Sequence, residues 1–274
     1  MNKKKIIAII PAYNAERTLQ RTIQAIDRNV VDEIIVVNDG SSDATSSIAQ
    51  KERVILLQHP KNKGYGAAQK TAYVAALKEG ADIIAMVHSD FQYDPTLLPS
   101  MVQPLKEGIA DACFGSRLAN KKNARKGGMP LWRFLANIIL TKFEDLILGL
   151  GLSEYHTGYR VYSREALSRI PFEKNSDNYV FDTQMIAQLR SGRFRVHEIP
   201  IPTRYSSDSA SPSFFKSLEY GFATVWVMME YIMHVTRIKF IPRLEVRKTE
   251  QITGLSKKAK TVFITGAAGF IGSH

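Results

Sequence analysis

Cysteine is nearly absent: the 274 residues hold one, Cys113, inside an apolar segment. That excludes an internal disulfide and suits a reducing compartment. Long apolar runs are missing too. No stretch reaches the ~18 uninterrupted apolar residues of a spanning helix, and the nearest, Gly221 to Val235, carries Glu230 and His234. The N-terminal apolar run stops at Pro11, too short for a signal peptide, and reads as a first strand. Negative charge is the third shortage. Against 37 Lys and Arg stand 26 Asp and Glu, a net +11, which suits an anionic partner such as a nucleotide, polyphosphate, acidic membrane or nucleic acid. Hydrophobic residues make up 45%, enough for a sizeable core.

The first hundred residues alternate apolar runs with helical patterns. Lys5–Ile10, Glu33–Val37, Val54–Gln58 and Ile83–Val87 read as buried strands. Arg17–Asp27, Ser42–Lys51 and Tyr65–Lys78 read as helices between them. This order predicts a parallel sheet with helices on both faces. Strands are also expected at Asp111–Gly115 and Phe194–Ile199, and helices at Pro130–Leu150, Asp182–Leu189 and Ser213–Thr236. Residues 1–241 form one domain. Residues 242–260, basic and without clear period, read as a linker. Residues 261–274 open as a strand and a G-x-x-G-x-x-G turn, the start of a dinucleotide-binding unit whose sheet is not there, so no NAD binding is expected.

Chemistry collects at the expected strand ends, where open α/β sheets bind ligands. After Ile83–Val87 comes His88-Ser89-Asp90-Phe91-Gln92. Alternate residues of an extended chain share a face, so His88, Asp90 and Gln92 converge on one hard target, a divalent metal carrying a diphosphate. Pro11 ends the first strand, Tyr13 offers a stacking face, and Glu16 enters the next helix. Asp39, in Asn-Asp-Gly-Ser-Ser, is placed to accept from a ribose or base, with Ser41 or Ser42 capping the following helix. Lys63-Gly64-Tyr65-Gly66 offers a glycine-flanked helix start, where N–H groups favour phosphate. Arg117 closes the fifth strand, and Arg133, Arg160 and Arg204 are further forks for a diphosphate.

The ordered set PAYNAE, VVNDGSSD, NKGYGAA, HSDFQYDP, GSR and HTGYR resembles the family 2 glycosyltransferases, and most of all the dolichyl- and polyprenyl-phosphate sugar synthases, over roughly Lys5 to Phe240. The resemblance implies a GT-A fold, a Rossmann-like mixed α/β sheet flanked by helices. It implies a nucleotide-sugar donor (UDP- or GDP-sugar), Mg²⁺ or Mn²⁺, and inversion at the sugar carbon. It implies that Pro11, Tyr13 and Asp39 hold the nucleoside, Asp90 and Gln92 the metal, and Arg117, Arg133 and Arg204 the phosphates. Two positions depart. His88 stands where the family's metal motif opens with Asp, and imidazole suits Mn²⁺ better than Mg²⁺, so either the metal preference shifts or His88 contacts a phosphate and Asp90 carries the ion almost alone. Glu154 stands where an Asp usually precedes HTGYR. The tail TGAAGFIGSH resembles the opening of short-chain epimerases and dehydratases.

The expected reaction displaces a nucleoside diphosphate from an anomeric carbon, with metal and arginines stabilising the leaving charge. A polyprenyl-phosphate acceptor is already ionised and needs no base. A glycan hydroxyl needs one, and Glu154 or Asp182 is the candidate. The helix Ser213–Thr236, with Arg237, Lys239 and Arg243 beside it, is expected to rest on an anionic membrane or to pack on the sheet. The chain is therefore expected in the cytoplasm, peripheral at the inner face of the membrane, with no nucleic-acid partner. An inactive nucleotide-binding module is the competing class.

Overall fold

A computed structural model describes residues 3–120, 129–202 and 214–248, with only the backbone for 214–216. Seven strands are β1 (Ile6–Ala12), β2 (Glu33–Asn38), β3 (Ile55–Gln58), β4 (Ile83–Met86), β5 (Ala112–Ser116), β6 (Arg160–Ser163) and β7 (Val196–Pro200). Their order is β3-β2-β1-β4-β6-β5-β7. The first four run parallel, β6 is antiparallel to both neighbours, and β5 pairs parallel with β7. The sheet is mixed, as the resemblance implies, and not wholly parallel as the alternation alone predicts.

The helices are α1 (Leu19–Gln24), α2 (Thr45–Lys51), α3 (Tyr65–Lys78), α4 (Leu98–Lys106), α5 (Leu131–Leu148), α6 (Arg164–Arg169), α7 (Phe181–Ser191) and α8 (Phe214–Val235). Apolar runs become strands because both sheet faces are covered. Ile7, Ile9, Ile35, Val37, Ile84 and Met86 face one core, under α3, α7 and α8. Their neighbours Ile6, Ala8, Ile10, Ile34, Val36 and Ile83 face the other, under α1 and α4. Cys113 lies in that second core, and burial pushes its thiol up to about 12.

Pro11 does not end β1: it is paired opposite Val37, and β1 runs on to Ala12. Ala12 turns its carbonyl to β2, accepting from Asp39 N–H, so Pro11 faces β4. Pairing with β4 stops at Ile9, and the missing N–H removes no ladder bond. Part of the expected linker is also docked. Leu244 is 2% exposed, and Gln188 Nε2 donates to the Arg243 carbonyl at 2.8 Å. Residues 249–274, with the glycine turn, lie outside the described residues.

Candidate active site

The reversed strand creates the site. With β6 inserted between β4 and β5, the segments after β1, β2, β4 and β5 and the one before β6 meet at one sheet edge. There a cavity of about 640 Å³ is lined by Pro11, Tyr13, Asp39, His88, Asp90, Gln92, Arg117, Arg133, Arg160 and Asp182, joined by Tyr65, His156, Tyr179 and Tyr220. The volume suits a nucleotide-sized ligand.

Beyond β4 the chain turns sharply. Asp90 Oδ1 accepts the Gln92 amide at 3.0 Å, and Phe91 takes φ 57° with the Arg21 guanidinium 3.8 Å over its ring. The other Asp90 oxygen has no hydrogen bond among the described residues. The His88 ring lies against Gly158, where a Cβ would stand 2.0 Å from Nε2, and edge-on to Tyr93. Burial lowers the pKa of His88, favouring neutral imidazole at pH 7. Its Nε2 is 3.3 Å from Tyr65 Oη, which donates to Asp182 Oδ2 at 2.9 Å. Burial, then the Asp182 charge, holds the Tyr65 phenol well above its usual range. Gln69 Nε2 reaches Asp182 Oδ1 at 3.2 Å.

Asp39 lines the cavity with a carboxylate already engaged. It takes His59 Nδ1 at 2.6 Å and the amides of Lys63 and Gly64, each at 2.9 Å. Burial alone would raise its pKa, but these bonds outweigh burial and leave it below the ordinary carboxylate value. They fold the 59–64 loop against β2. The glycines after that loop admit backbone: a Cβ on Gly66 would meet the Ser176 carbonyl at 2.4 Å, and Gly66 N–H donates to Asp177 O at 2.7 Å. Two amides of the helix start, those of Gly66 and Ala67, are thus taken by the Asp177 carbonyl.

The structure does not bring every expected residue to the cavity. Glu154 is fully buried outside the lining, accepting Arg117 N–H at 2.7 Å and Nε at 2.8 Å, with Nη2 also paired to it. Glu16 accepts the Ala44 amide at 3.0 Å and braces the start of α2, whose expected Ser41 or Ser42 cap is not made. Ser41 instead accepts the Asn14 amide. Lys63 is exposed and is not among the residues that line the cavity. Arg160 lines the cavity, yet gives its donors to the carbonyls of Thr157, Asp182 and Tyr155 over the Phe114 ring. Burial would lower its pKa, but the Asp182 charge together with the Tyr162 and Tyr65 phenols raises it. Its role is to hold the β6 entry. Arg204 lies outside the described residues.

Tyr65, His156 and Tyr220 join the site without having been expected there. His156 Nδ1 is 3.1 Å from Tyr220 Oη of α8. Its Nε2 is 2.9 Å from Glu144 of α5, angled too poorly for a hydrogen bond. One imidazole so ties both helices to the cavity wall. Two sequence signals were available: Tyr65 sits inside the NKGYGAA motif and His156 opens HTGYR.

Among the described residues no three His, Cys, Asp or Glu side chains stand close enough to hold an ion alone. One open carboxylate oxygen does fit an ion completed by substrate phosphate oxygens and water, a common arrangement for Mg²⁺. The donor set therefore suits a metal arriving with a diphosphate.

A mixed seven-strand sheet with this cavity at its switch point defines the GT-A class of nucleotide-sugar transferases. The chain belongs to Glycosyl transferase family 2, whose family model matches residues 7–170. It is 32% identical over 211 residues to the uncharacterized protein MJ1222 of Methanocaldococcus jannaschii, covering 77% of this chain and 86% of that one. It is 28% identical over 226 residues to the UDP-N-acetylglucosamine–dolichyl-phosphate N-acetylglucosaminyltransferase of Methanococcus voltae, covering 76% and 89%. With the polyprenol monophosphomannose synthase of Mycolicibacterium smegmatis the identity is 25% over 234 residues, covering 80% and 87%. The fold matches glucosyl-3-phosphoglycerate synthase from Mycobacterium tuberculosis, in complex with Mn²⁺, uridine diphosphate and glucosyl-3-phosphoglycerate, at TM-score 0.62 and 20% identity, covering 83% of this chain and 80% of that one. The protein is a glycosyltransferase using nucleotide-sugar donors.

Proposed function

We propose that this enzyme moves a hexose from a UDP- or GDP-sugar to a polyprenyl phosphate, with inversion, at the inner face of a membrane. The observation that carries the acceptor is an apolar face beside the cavity. Helices α5 and α8 turn Arg133, Asn137, Ser217 and Tyr220 toward it. On the same helices Ile139 is 67% exposed, Phe222 70% and Trp226 56%, and Ile238 and Phe240, just after α8, are exposed as well. Exposed apolar area of this kind marks contact with lipid or protein. Lys142, Arg237 and Lys239 are exposed with it, and each basic residue near an anionic bilayer adds about 1 kcal/mol. Among the described residues no helix is long and apolar enough to cross a membrane, so contact would be at the surface. The dolichyl-phosphate and polyprenol activities of two relatives support the same acceptor class.

In this reading Pro11, Tyr13 and Asp39 hold the nucleoside, with Asp39 as acceptor for a base N–H. Arg117, its guanidinium braced by Glu154, and Arg133 draw the diphosphate by charge. Asp90 and Gln92 would hold Mg²⁺ or Mn²⁺, which when bound supplies charge stabilisation to the leaving diphosphate. An ionised phosphate needs no general base, only positioning beside the anomeric carbon. A second reading, transfer to a glycan hydroxyl, is favoured by Asp182, a carboxylate on the cavity wall and the candidate base for that acceptor. Glu154, away from the wall, does not serve that role here.

The test offers UDP- and GDP-sugars with either metal to wild type and to the Phe222→Glu/Trp226→Glu variant. Polyprenyl phosphate in anionic vesicles and a soluble oligosaccharide are the two acceptors. The expected result is sugar in the organic phase, lost more than tenfold in the variant while donor binding is kept. Transfer to the oligosaccharide alone overturns the lipid acceptor and directs attention to Asp182.

A further inference from the structure

A carboxylate offers about four lone-pair sites, two on each oxygen, and most of those on Asp39 are taken by the protein itself. Oδ1 accepts His59 Nδ1 at 2.6 Å and the Lys63 amide at 2.9 Å, and Oδ2 accepts the Gly64 amide at 2.9 Å. Among the described residues nothing else bonds to it, so a ligand in the cavity meets one site, on Oδ2. The count does not depend on the charge of His59. Its Nδ1 donates to the carboxylate in either state, while Nε2 lies 2.9 Å from Thr71 Oγ1. Nor is the arrangement loose. The His59 side chain is 7% exposed and that of Asp39 4%. The loop packs directly on Gly40, where φ is 72° and a Cβ would stand 2.5 Å from Asn62 N.

The two candidate bases ask different things of such a carboxylate. Guanine carries two adjacent donors on its pairing edge, N1–H and the N2 amino group, and a carboxylate matches them with one oxygen each. Uracil carries one donor there, N3–H. With Oδ1 filled, guanine would bury a donor without an acceptor, which costs affinity outright. We propose that His59, together with the Lys63 amide, is the base-selecting element of this chain, limiting Asp39 to a single acceptor so that the donor is a uridine and not a guanosine diphosphate sugar. The proposal rests on the reading above in one respect, that Asp39 faces the base.

The experiment titrates the full chain, with Mg²⁺ and no acceptor, by calorimetry. UDP is expected to bind tighter than GDP by about tenfold or more, the cost of one unpaired buried donor. Inosine diphosphate, which is GDP without the N2 amino group, should bind at least as tightly as GDP. UDP methylated at N3 should lose about tenfold, its one donor being gone. His59→Leu empties a site on Oδ1 and should bring GDP about tenfold closer to UDP. His59→Asn, which keeps an N–H near the Nδ1 position, should leave the UDP-to-GDP ratio close to that of wild type. GDP binding well above inosine diphosphate in wild type overturns the proposal alone, and needs no variant. An unmoved ratio in a His59→Leu protein with the wild-type circular dichroism spectrum overturns it too. Equal affinity for UDP and its N3-methyl form places the base away from Asp39, and overturns the nucleoside assignment as well. No lipid or glycan enters any arm, so the acceptor reading stands or falls separately.

Discussion

Replacing Glu154 by Gln separates a structural carboxylate from a catalytic one. Glu154 is wholly buried, and its partner Arg117 is 6% exposed. The carboxylate takes the Arg117 backbone N–H at 2.7 Å on one oxygen and Nε at 2.8 Å on the other. A glutamine keeps one acceptor but turns an NH₂ toward a donor, so one bond becomes a clash of donors, and the buried guanidinium loses its counter-charge. Removing one member of a buried pair costs about 3–5 kcal/mol, a large part of a typical ~5–15 kcal/mol total. At about 2–4 °C per kcal/mol for a chain of this size, Tm should fall by roughly 6–20 °C. Differential scanning calorimetry measures it, with metal and nucleotide absent. The double variant Arg117→Met/Glu154→Met should regain more than half of the loss, since apolar replacement of a whole buried pair is often near neutral. If Glu154→Gln melts within 2 °C of wild type while kcat collapses, the reasoning fails, and Glu154 acts on substrate after all.

Asp90→Ala should abolish metal-dependent transfer by more than a hundredfold, as loss of a main charge-stabilising group does. Its Tm should stay within 2 °C, because Asp90 is only half-buried at a turn; a variant with wild-type turnover would remove Asp90 from the site. Gly158→Ala places a Cβ 2.0 Å from His88 Nε2 and should cost about 1–3 kcal/mol as overpacking, seen in urea unfolding. Adding His88→Ala should relieve most of it, and an additive double variant would show that the two do not compete for one space. Asp39 gives a pH signature. Its folded pKa lies below the unfolded 3.8, so its stability contribution is full above 3.8 and fades as pH falls through the folded value. Asp39→Asn should therefore be less stable than wild type at pH 6, with the gap closing below pH 3.8. A gap of constant size would mean that the carboxylate charge does not hold the 59–64 loop.

Strands β1, β2 and β4 are readable from composition because both their faces are buried, so every residue is apolar except Glu33 and Asn38 at the two ends of β2. β6 is not, and for a definite reason. Its first residue, Arg160, is among the most buried side chains of the molecule, and three backbone carbonyls satisfy its guanidinium. Nothing local in Arg-Val-Tyr-Ser announces those carbonyls, so the charge reads as solvent- or phosphate-facing and the strand goes unseen. With it goes the reversal that makes the sheet mixed. The same limit divides the candidate site. Asp39, Asp90, Arg117 and Asp182 reach the cavity because strand ends and a helix start carry them to one edge, an arrangement that topology implies. Glu154 and Glu16 have the same chemistry but brace Arg117 and Ala44, partners 37 and 28 positions away. A carboxylate that holds a loop and one that faces a ligand differ only in such long-range contacts. His88 belongs to both groups. Its place in the motif brings it to the cavity, while its Nε2 lies 3.3 Å from the hydroxyl of Tyr65, 23 positions back.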